Sequence, residues 1–375
     1  MQQITRKSAD CLTRHPWKVW FWGDSIGLEG LLDAAQLTGD STYLSFVHGL
    51  LKGWLPREAS RSQFDYTAPG VALLRVYEAT GDRPLLDAAY RHADFMAGFR
   101  QTTAGAYMRY ENAAIELPPE LPADHPENQQ AGENAAPVAD GGPCVFVDSV
   151  HFDGPFFAKL YQVTGEERYR RLALDNILPQ IELLYDREER LFHHFWIERI
   201  QRPNGVLWAR GNGWGLLGVV QTLEWVGAEA PDAARLREVL RDTLKRLAAL
   251  QHSSGAWHTV LNDPESYVES STAAFFTDVI CRAVRLGVIA REDYWPQVEL
   301  AMRYLLEHIR PDGVLDGVSY ETFPSTRPEH YRKMPTGSMS PWGQGPLLAA
   351  ALSYHESTAA AAEGRAADEE MRAIG

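Results

Sequence analysis

The sequence has 375 residues, of which 45% are hydrophobic and 23% charged, a balance typical of a soluble globular protein with a substantial core. The formal net charge of −14 argues against nucleic acid as a partner, because phosphate binding needs a basic surface. No stretch approaches the roughly 18 apolar residues of a membrane span, and residues 1–20 contain no apolar run of signal-peptide length. We therefore expect no membrane association.

The cysteines are few and scattered. Cys11, Cys144 and Cys281 lie far apart and have neither metal-ligand spacing nor the dense, even pattern of a secreted disulfide framework. A reducing, cytoplasmic location is the simplest interpretation of the sequence.

An internal repeat predicts the fold. Thr38-Gly39-Asp40 is followed after 42 residues by Thr80-Gly81-Asp82, and after twice that spacing by Thr164-Gly165-Glu166. Each triplet separates two apolar helical stretches. Glycine suits the end of the first helix, and the acid after it suits the start of the second. The repeated unit is therefore a helical hairpin, with a period typical of helical repeat architectures.

Six such units can be traced along the chain, the last of them by its first helix alone. Their first helices are rich in Gly, Ala and apolar residues, which indicates burial on most sides, and they start near Trp22, Asp65, Asp148, Trp208, Ser271 and Trp342. Their second helices carry more charge and form a predicted outer ring. We predict an all-α fold, an (α/α)6 barrel, as one domain over residues 1–375. An open solenoid would need polar capping repeats, and residues 342–354 are too apolar for that role.

Two segments depart from this pattern. Residues 112–143 are rich in Pro, Glu, Asn and Gly and are predicted to form a long loop, which in a compact domain is usually functional or mobile. Residues 359–375 are rich in Ala and Glu and are predicted to form a frayed helix or a mobile tail.

Polar and aromatic residues gather where the predicted inner helices start. Because these starts converge on one mouth of such a barrel, we expect their side chains to line a common acidic cavity. Aromatic rings also provide flat surfaces for sugar rings. The candidates at these positions are Trp22, Asp24, Asp65, Asp148, Trp208, Arg210, Trp214 and Trp342.

Asp148 is the strongest candidate for an acid catalyst. An aspartate at a helix start can simply cap the helix, and this alternative applies to Asp65 as well. However, Asp148 follows the apolar run 144–147, and desolvation there would raise its pKa and keep a proton available. An ionised Asp65 nearby would complete an acid–base pair. Asp153 lies off the helical face of Asp148 and ranks below it.

The remaining candidate residues are predicted to bind the substrate rather than to take part in the chemical step. Arg210 either forms a structural salt bridge or recognises a substrate carboxylate, for which guanidinium geometry is suited. His194 of the pair His193-His194 is predicted to hydrogen-bond a sugar hydroxyl or a carboxylate, whereas His151 and His258 are more typical of structural residues. No metal-ligand spacing and no nucleotide-binding motif is present.

Several of these motifs, in this order, resemble a known enzyme family. They are residues 64–65 with 68–70, residues 147–150 with 155–156, residues 191–196 and, most specifically, Trp208-Ala209-Arg210-Gly211-Asn212-Gly213-Trp214. From Trp22 to Glu356 the chain resembles the unsaturated glucuronyl and rhamnogalacturonyl hydrolases of glycoside hydrolase families 88 and 105.

The resemblance implies an (α/α)6 barrel without a metal or organic cofactor. It implies that the substrate is an oligosaccharide that a polysaccharide lyase has left with a terminal 4,5-unsaturated uronic acid. It also implies that Asp148 protonates C4 of the vinyl ether, that Asp65 is the second aspartate, and that His194, Trp208, Arg210 and Trp214 line the pocket. Departures in residues 112–143 and 149–151 leave the partner sugar open.

Two other functions stay open at this level. A sugar 2-epimerase can use the same barrel, but that chemistry relies on several histidines, for which His194 and His258 are the candidates. A non-catalytic carbohydrate-binding protein would instead leave Asp148 facing bulk solvent. The sequence gives no information on the oligomeric state.

Overall fold

The computed structural model describes residues 1–60, 69–110 and 142–374, and helices dominate these ranges. The α-helices are α1 Gln2–Thr13, α2 Trp22–Thr38, α3 Ser41–Trp54, α4 Gly70–Thr80, α5 Arg83–Ala97, α6 Asp148–Phe152, α7 Gly154–Thr164, α8 Glu167–Leu184, α9 Ala209–Val226, α10 Ala234–Leu250, α11 Ser270–Arg285, α12 Arg291–Glu307, α13 Pro328–Arg332 and α14 Pro341–Ile374. Short 3₁₀ helices occupy Leu55–Ser60 and Pro231–Ala233. The predicted all-α class is confirmed.

The inner helices form a closed ring. In order around the ring, α2, α4, α7, α9, α11 and α14 each pack against the next, and α14 returns to pack against α2. The α2–α14 contact is close because two glycines face each other there: a Cβ on Gly30 would lie 2.6 Å from the Cα of Gly345. The predicted closed barrel is confirmed, and an open solenoid is not formed.

The outer layer takes its sixth helix from the beginning of the chain. Helices α3, α5, α8, α10 and α12 pack on the inner ring as predicted. The sequence repeat left the sixth outer position unassigned. The structure fills it with α1, which packs against α2, α3 and α14 and buries Ala9, Cys11 and Leu12. The first helix of the chain thus packs beside the last inner helix, α14.

The repeated Thr-Gly-acid triplets form the same turn three times. Gly39, Gly81 and Gly165 all have left-handed backbones, with φ of 68°, 68° and 73°, a conformation that glycine adopts without steric cost. Each preceding threonine hydroxyl donates to the carbonyl four residues earlier and accepts the N–H of the acid that follows the glycine. The predicted helical hairpin is therefore confirmed in atomic detail.

In the part of the chain that the structure describes, short strands lie only between an outer helix and the next inner helix. They are β1 Arg109–Tyr110, β2 Pro143–Phe146, β3 Tyr185–Asp186, β4 Leu191–Phe192, β5 Phe195–Ile197, β6 Arg202–Pro203, β7 Trp257–His258 and β8 Val268–Glu269. They form a four-stranded antiparallel sheet, β1-β2-β5-β6, and the pairs β3-β4 and β7-β8. Because these connections precede the inner helices, the strands frame the mouth at which those helices begin.

The inner-helix boundaries differ from the prediction in two places. The helix expected to start near Asp65 is described only from Gly70, and Asp65 itself lies outside the described residues. The third inner helix is divided into α6 and α7 at Asp153, before Gly154-Pro155. Most of the predicted loop 112–143 also lies outside the described residues, and β2 begins at its last residue.

The final helix extends over the segment predicted to form a frayed helix or a mobile tail. Helix α14 continues to Ile374, so residues 359–374 take the helical alternative in this structure. Within the described ranges, no helix combines the length and apolar character that crossing a bilayer would require.

The opposite end of the barrel contains a polar cavity of about 690 Å³. Its charged side chains pair with each other across neighbouring inner helices. Arg75 bonds Asp33 at 2.7 Å, Lys159 bonds Glu78 at 2.6 Å, and Arg282 bonds Glu224 at 2.8 Å. These ion pairs link neighbouring inner helices, which gives the charged residues of this cavity a structural role.

Candidate active site

Asp148 and His194 are brought together by the central pair of strands. β2 pairs with β5 in antiparallel register, and the backbone N–H of Val147 extends this pairing by donating to the carbonyl of His194 at 2.9 Å. Asp148 is the first residue of α6, and its Oδ2 lies 3.8 Å from Nε2 of His194. As the sequence predicted, the apolar run of residues 144–147 is buried, and it places the Asp148 carboxyl group directly after a buried strand.

Glycines of α9 allow α6 to approach it closely. A Cβ on Gly211 would lie 2.8 Å from Cγ1 of Val147, and one on Gly218 would lie 2.3 Å from the carbonyl oxygen of Val150. A real Cβ cannot occupy either position without displacing backbone or core atoms. The glycine-rich motif thus sets the position of Asp148 relative to the start of α9, where Arg210 lies.

The Asp148 carboxyl group is poised to hold a proton at neutral pH. Burial raises its pKa to about 7, against the opposing influence of its own backbone hydrogen bond and of the Arg210 charge. Its side chain is only 13% exposed, and its Oδ2 has no hydrogen-bond partner among the described residues. Near pH 7 both protonation states are populated, which is the requirement for an acid that later acts as a base.

His194 is electrically neutral beside this acid. Burial, with a smaller effect of the Arg210 charge, lowers the pKa of His194 to about 3. Its Nδ1 lies 2.6 Å from the hydroxyl of Tyr331, and its ring packs against Trp208 with centroids 4.4 Å apart. His194 therefore adds a polar atom, but no positive charge, to the surroundings of Asp148.

Arg210 is extensively bonded within the protein. It is buried, and its guanidinium lies 4.7 Å from the ring centroid of Trp208. Its two terminal nitrogens donate to Glu269 Oε1 at 3.1 Å, Ser319 Oγ at 2.6 Å, Tyr320 O at 2.9 Å and Thr322 Oγ1 at 2.8 Å. Arg210 was predicted either to form a structural salt bridge or to recognise a substrate carboxylate, and this geometry favours the salt bridge. Here the guanidinium anchors residues 319–322 and contributes its charge to the site.

Aromatic rings form the wall next to these groups. The half-buried Trp22 stacks on Trp342, with centroids 5.8 Å apart and planes inclined by 18°. Trp342 also donates from Nε1 to the carbonyl of Ser319 at 2.9 Å. The Arg210 guanidinium lies near the rings of both Trp208 and Trp342, and Trp208 packs against His194, the neighbour of Asp148. We call Trp22, Asp148, His194, Trp208 and Trp342 together the cup.

Two predicted binding residues are located elsewhere. Trp214 has no exposed surface and packs against His151 and Phe275, so it supports the cup from below rather than lining it. Asp24 is equally buried, and both of its oxygens are used inside the protein: Oδ1 bonds His15 at 2.9 Å and Oδ2 accepts the backbone N–H of Lys18. A carboxylate so occupied fixes the start of α2 and offers no free oxygen to a ligand.

The weaker histidine and aspartate candidates have structural partners. His193 bonds Asp186 at 3.3 Å, and His258 Nδ1 lies 2.5 Å from the carbonyl of Ser266. Asp153 has no exposed surface and accepts from both Arg109 and Gln180. The fully buried His151 lies 3.3 Å from Glu29. The lower rank given to these groups agrees with their surroundings.

Sequence reasoning missed several residues that hold the cup in place. Tyr331 and Asn204 support His194, Glu269 supports Arg210, and Asn212 bonds both the N–H and the carbonyl of Phe192. Asn212 lies inside the Trp208–Trp214 motif, and its place there could have identified it as a residue of the site. Tyr331 follows His194 by 137 residues, and no pattern in the sequence joins the two. Within the described ranges, no three His, Cys, Asp or Glu side chains are grouped as a metal site would require.

Comparison with known proteins places this barrel and cup in a family. The family model described as Glycosyl Hydrolase Family 88 matches residues 1–358. The chain belongs to glycosyl hydrolase family 88. As a family 88 protein it is a glycoside hydrolase, as the resemblance of its motifs implied.

Individual relatives cover nearly all of this family 88 chain. The unsaturated rhamnogalacturonyl hydrolase YesR of Bacillus subtilis is 26% identical over 335 residues, which are 88% of each protein. A crystal structure of a possible GH105 family member from Salmonella enterica superposes with a TM-score of 0.77 at 23% identity, covering 94% of this chain and 92% of that one. The unsaturated glucuronyl hydrolase of Bacillus sp. GL1 gives a TM-score of 0.69 at 16% identity, covering 93% and 95%. Both solved structures share the fold of this chain.

The raised pKa of Asp148 has a cost in stability that can be measured. Because the folded-state pKa of about 7 exceeds the ordinary value of 3.8, the free energy of unfolding falls as the pH rises between these values and is constant above them. Asparagine does not titrate. Asp148→Asn is therefore expected to be more stable than the unsubstituted protein by about 1–3 kcal/mol at about pH 8, and the gain should vanish near pH 4. Urea unfolding at both pH values checks this, and a gain independent of pH would contradict it.

Proposed function

We propose that this protein releases a terminal 4,5-unsaturated uronic acid from oligosaccharides produced by polysaccharide lyases. The observation that carries the proposal is the buried Asp148, with a pKa of about 7, an Oδ2 that has no hydrogen-bond partner among the described residues, and His194 beside it. The activities of two relatives support it: the rhamnogalacturonyl hydrolase described above, and an unsaturated 3S-rhamnoglycuronyl hydrolase of Formosa agariphila, 30% identical over 174 residues, which are 43% of this chain and 46% of that one.

The proposed reaction begins at the double bond rather than at the anomeric carbon. Asp148 gives its proton to C4, and the π electrons of C4=C5 form the new C–H bond. Positive charge then develops at C5 and is shared with the ring oxygen. Water adds at C5 and returns a proton to the Asp148 carboxylate, which restores the acid. The resulting hemiketal opens at the C5–ring oxygen bond, and the partner sugar leaves from C1 as an alcohol. One water molecule is consumed.

The surroundings of Asp148 suit both halves of this cycle. Burial stabilises the protonated acid that the first step needs, whereas the nearby positive charge of Arg210 stabilises the carboxylate that the first step leaves behind. The Trp22 and Trp342 rings offer an apolar wall to the sugar ring. Asp65, which the family resemblance implies as the second aspartate, lies outside the described residues, and its role stays a prediction.

The rate should depend on pH through the protonation of Asp148. An acid with a pKa of about 7 is active in its protonated form, so kcat/KM is expected to fall tenfold per pH unit above about pH 7. This alkaline limb can be measured with a lyase-generated disaccharide at low substrate concentration. A rate that stays constant up to about pH 9 would remove Asp148 from the role of acid.

The proposed function is tested by the ultraviolet absorbance of the unsaturated uronate. Hydration removes the conjugated double bond, so enzyme added to lyase products should abolish the absorbance. The panel should include products derived from pectin, ulvan and glycosaminoglycans, because the partner sugar and anomeric linkage are open. Unchanged absorbance across the whole panel would refute the proposal.

The predicted cytoplasmic location is part of the same proposal. All three cysteines are buried, and none of them is joined in a disulfide, which suits a reducing compartment. The location would place the enzyme where short oligosaccharides arrive after import, rather than where polymers are first cut.

A further inference from the structure

We propose that Tyr331 is a positioning residue whose hydroxyl donates a hydrogen bond to Nδ1 of His194, and so holds the imidazole as the Nε2–H tautomer facing Asp148. Tyr331 belongs to the short helix α13, in the connection between α12 and α14, and is 1% exposed. Its contribution to catalysis rests on the proposed function, but its effect on the histidine tautomer does not.

The hydrogen-bonding groups around the Tyr331 hydroxyl limit where its proton can go. Asn204 is oriented by its Oδ1, which accepts backbone N–H groups of Phe195 and Val206. Its Nδ2 therefore donates, to the Tyr331 hydroxyl at 3.2 Å and to the Ser325 carbonyl at 2.9 Å. The Tyr331 oxygen thus already accepts hydrogen bonds from Asn204 and from the backbone N–H of Ser325, the latter at 3.4 Å. Its own proton has two destinations: Nδ1 of His194 or the Ser325 carbonyl.

The distances decide between these destinations. The hydroxyl lies 2.6 Å from Nδ1 of His194 but 3.1 Å from the Ser325 carbonyl. A separation of 2.6 Å is shorter than the usual N–H···O range and falls within the range of hydroxyl donors. The Ser325 carbonyl already receives the Asn204 amide, so it is not left unsatisfied. The proton therefore belongs between Tyr331 and His194, with the hydroxyl as donor.

The tautomer follows from the charge of the ring. His194 is neutral, because burial and the Arg210 charge lower its pKa, so it carries a single N–H. If Nδ1 accepts from Tyr331, that N–H is on Nε2, which lies 3.8 Å from Oδ2 of Asp148. Burial also raises the pKa of the Tyr331 phenol, so its hydroxyl remains a donor.

The orientation matters because the opposite tautomer would compete with the substrate. A bare Nε2 facing Asp148 could accept a hydrogen bond from the protonated acid and so hold its proton away from C4 of the sugar. An Nε2–H instead can only donate, and the hydrogen bond it offers becomes stronger once the carboxyl group has become a carboxylate. Tyr331 therefore directs the acidic proton toward the substrate and prepares a donor for the carboxylate that follows.

The tautomer can be observed directly by ¹⁵N NMR of histidine-labelled protein without substrate. We expect His194 to show a protonated Nε2 and an unprotonated Nδ1, with its signals assigned by their absence in His194→Gln. Tyr331→Phe should lose this single state and show a protonated Nδ1 in part of the molecules. A protonated Nδ1 in the unsubstituted protein, or an unchanged tautomer in Tyr331→Phe, would overturn the proposal.

A matched variant separates this effect from the loss of any buried tyrosine hydroxyl. Tyr43 lies on the outer helix α3 and is also buried. Its hydroxyl donates to Oδ1 of Asp10 at 2.8 Å. Tyr43→Phe should leave the His194 signals unchanged. A shift of those signals equal to that in Tyr331→Phe would mean that the probe reports general destabilisation, and would contradict the positioning role.

Kinetics supply the second readout, on whichever member of the lyase-product panel is turned over. Tyr331→Phe is expected to lower kcat about 10- to 100-fold, the range seen for residues that orient a functional histidine, with KM changed less than about twofold. An increase in KM with unchanged kcat would contradict the role. If no panel member is turned over, the proposed function fails, while the NMR result still decides whether Tyr331 fixes the tautomer.

Discussion

Asp148→Asn is expected to lower kcat by at least about a thousandfold while leaving the barrel folded. Asparagine has nearly the same shape but cannot release a proton to carbon, and positioned general acids contribute about 10²–10⁴-fold to rates. Because the carboxyl group has no hydrogen-bond partner on Oδ2 among the described residues, the substitution breaks no bond at that atom. Initial rates on a lyase-generated disaccharide measure the loss.

The control for this variant should be an aspartate of no catalytic importance. Asp87 lies on the outer helix α5 and forms an exposed pair with Arg83, so Asp87→Asn should retain full activity, because such pairs contribute little. Substantial turnover by Asp148→Asn would exclude Asp148 as the proton donor. Equal losses in both variants would point to damage unrelated to the acid.

Gly218→Ala is expected to reduce both stability and activity. Its Cβ would lie 2.3 Å from the Val150 carbonyl oxygen and 2.7 Å from the backbone nitrogen of His151, so α6 must move away from α9. Displacements of this kind in a packed core cost about 1–3 kcal/mol or more. Because Asp148 begins α6, the same movement shifts the carboxyl group relative to His194 and should lower kcat at least about tenfold.

A second glycine provides the matched control for this prediction. Gly49 lies inside the outer helix α3, where an added Cβ would meet nothing within 4 Å. Gly49→Ala should therefore stabilise the protein by about 0.5–1 kcal/mol through helix propensity alone, with unchanged kcat. Chemical unfolding and initial rates of both variants test the contrast. Stability losses of equal size would show that the α6–α9 approach has no special role.

The fold was largely predictable because its information is local and repeated. The Thr-Gly-acid triplet specifies a helix end, a left-handed glycine and a helix start within three residues, and its spacing reveals the hairpin period. Helix α1 was missed because it has no triplet and completes the barrel only by packing against helices from both ends of the chain. The division between α6 and α7 was also missed, although it comes directly before Gly154-Pro155, a local signal for a helix boundary.

The site was predictable only in part, because burial and partnership are properties of the folded chain. Asp148 was recognised from the apolar run before it, and the structure gives it the expected dry surroundings. Asp24 had equally suggestive neighbours, but the segment of residues 15–18 occupies both of its oxygens. Trp214 shares the motif of Arg210 yet lies beneath the cup. Tyr331 could not be foreseen, because its contact with His194 spans 137 residues of sequence.

Solvent deuterium offers the most direct test that the reaction starts with protonation of C4, the step that the account assigns to Asp148. Wild-type enzyme should be run in D₂O to low conversion, and the released uronate analysed by NMR and mass spectrometry. Preformed product incubated for the same time corrects for slow exchange next to the new carbonyl group. The account predicts one deuterium at C4, added to a single face of the sugar. A released uronate that keeps its C4–C5 double bond, or that carries no C4 deuterium beyond the control, would contradict it.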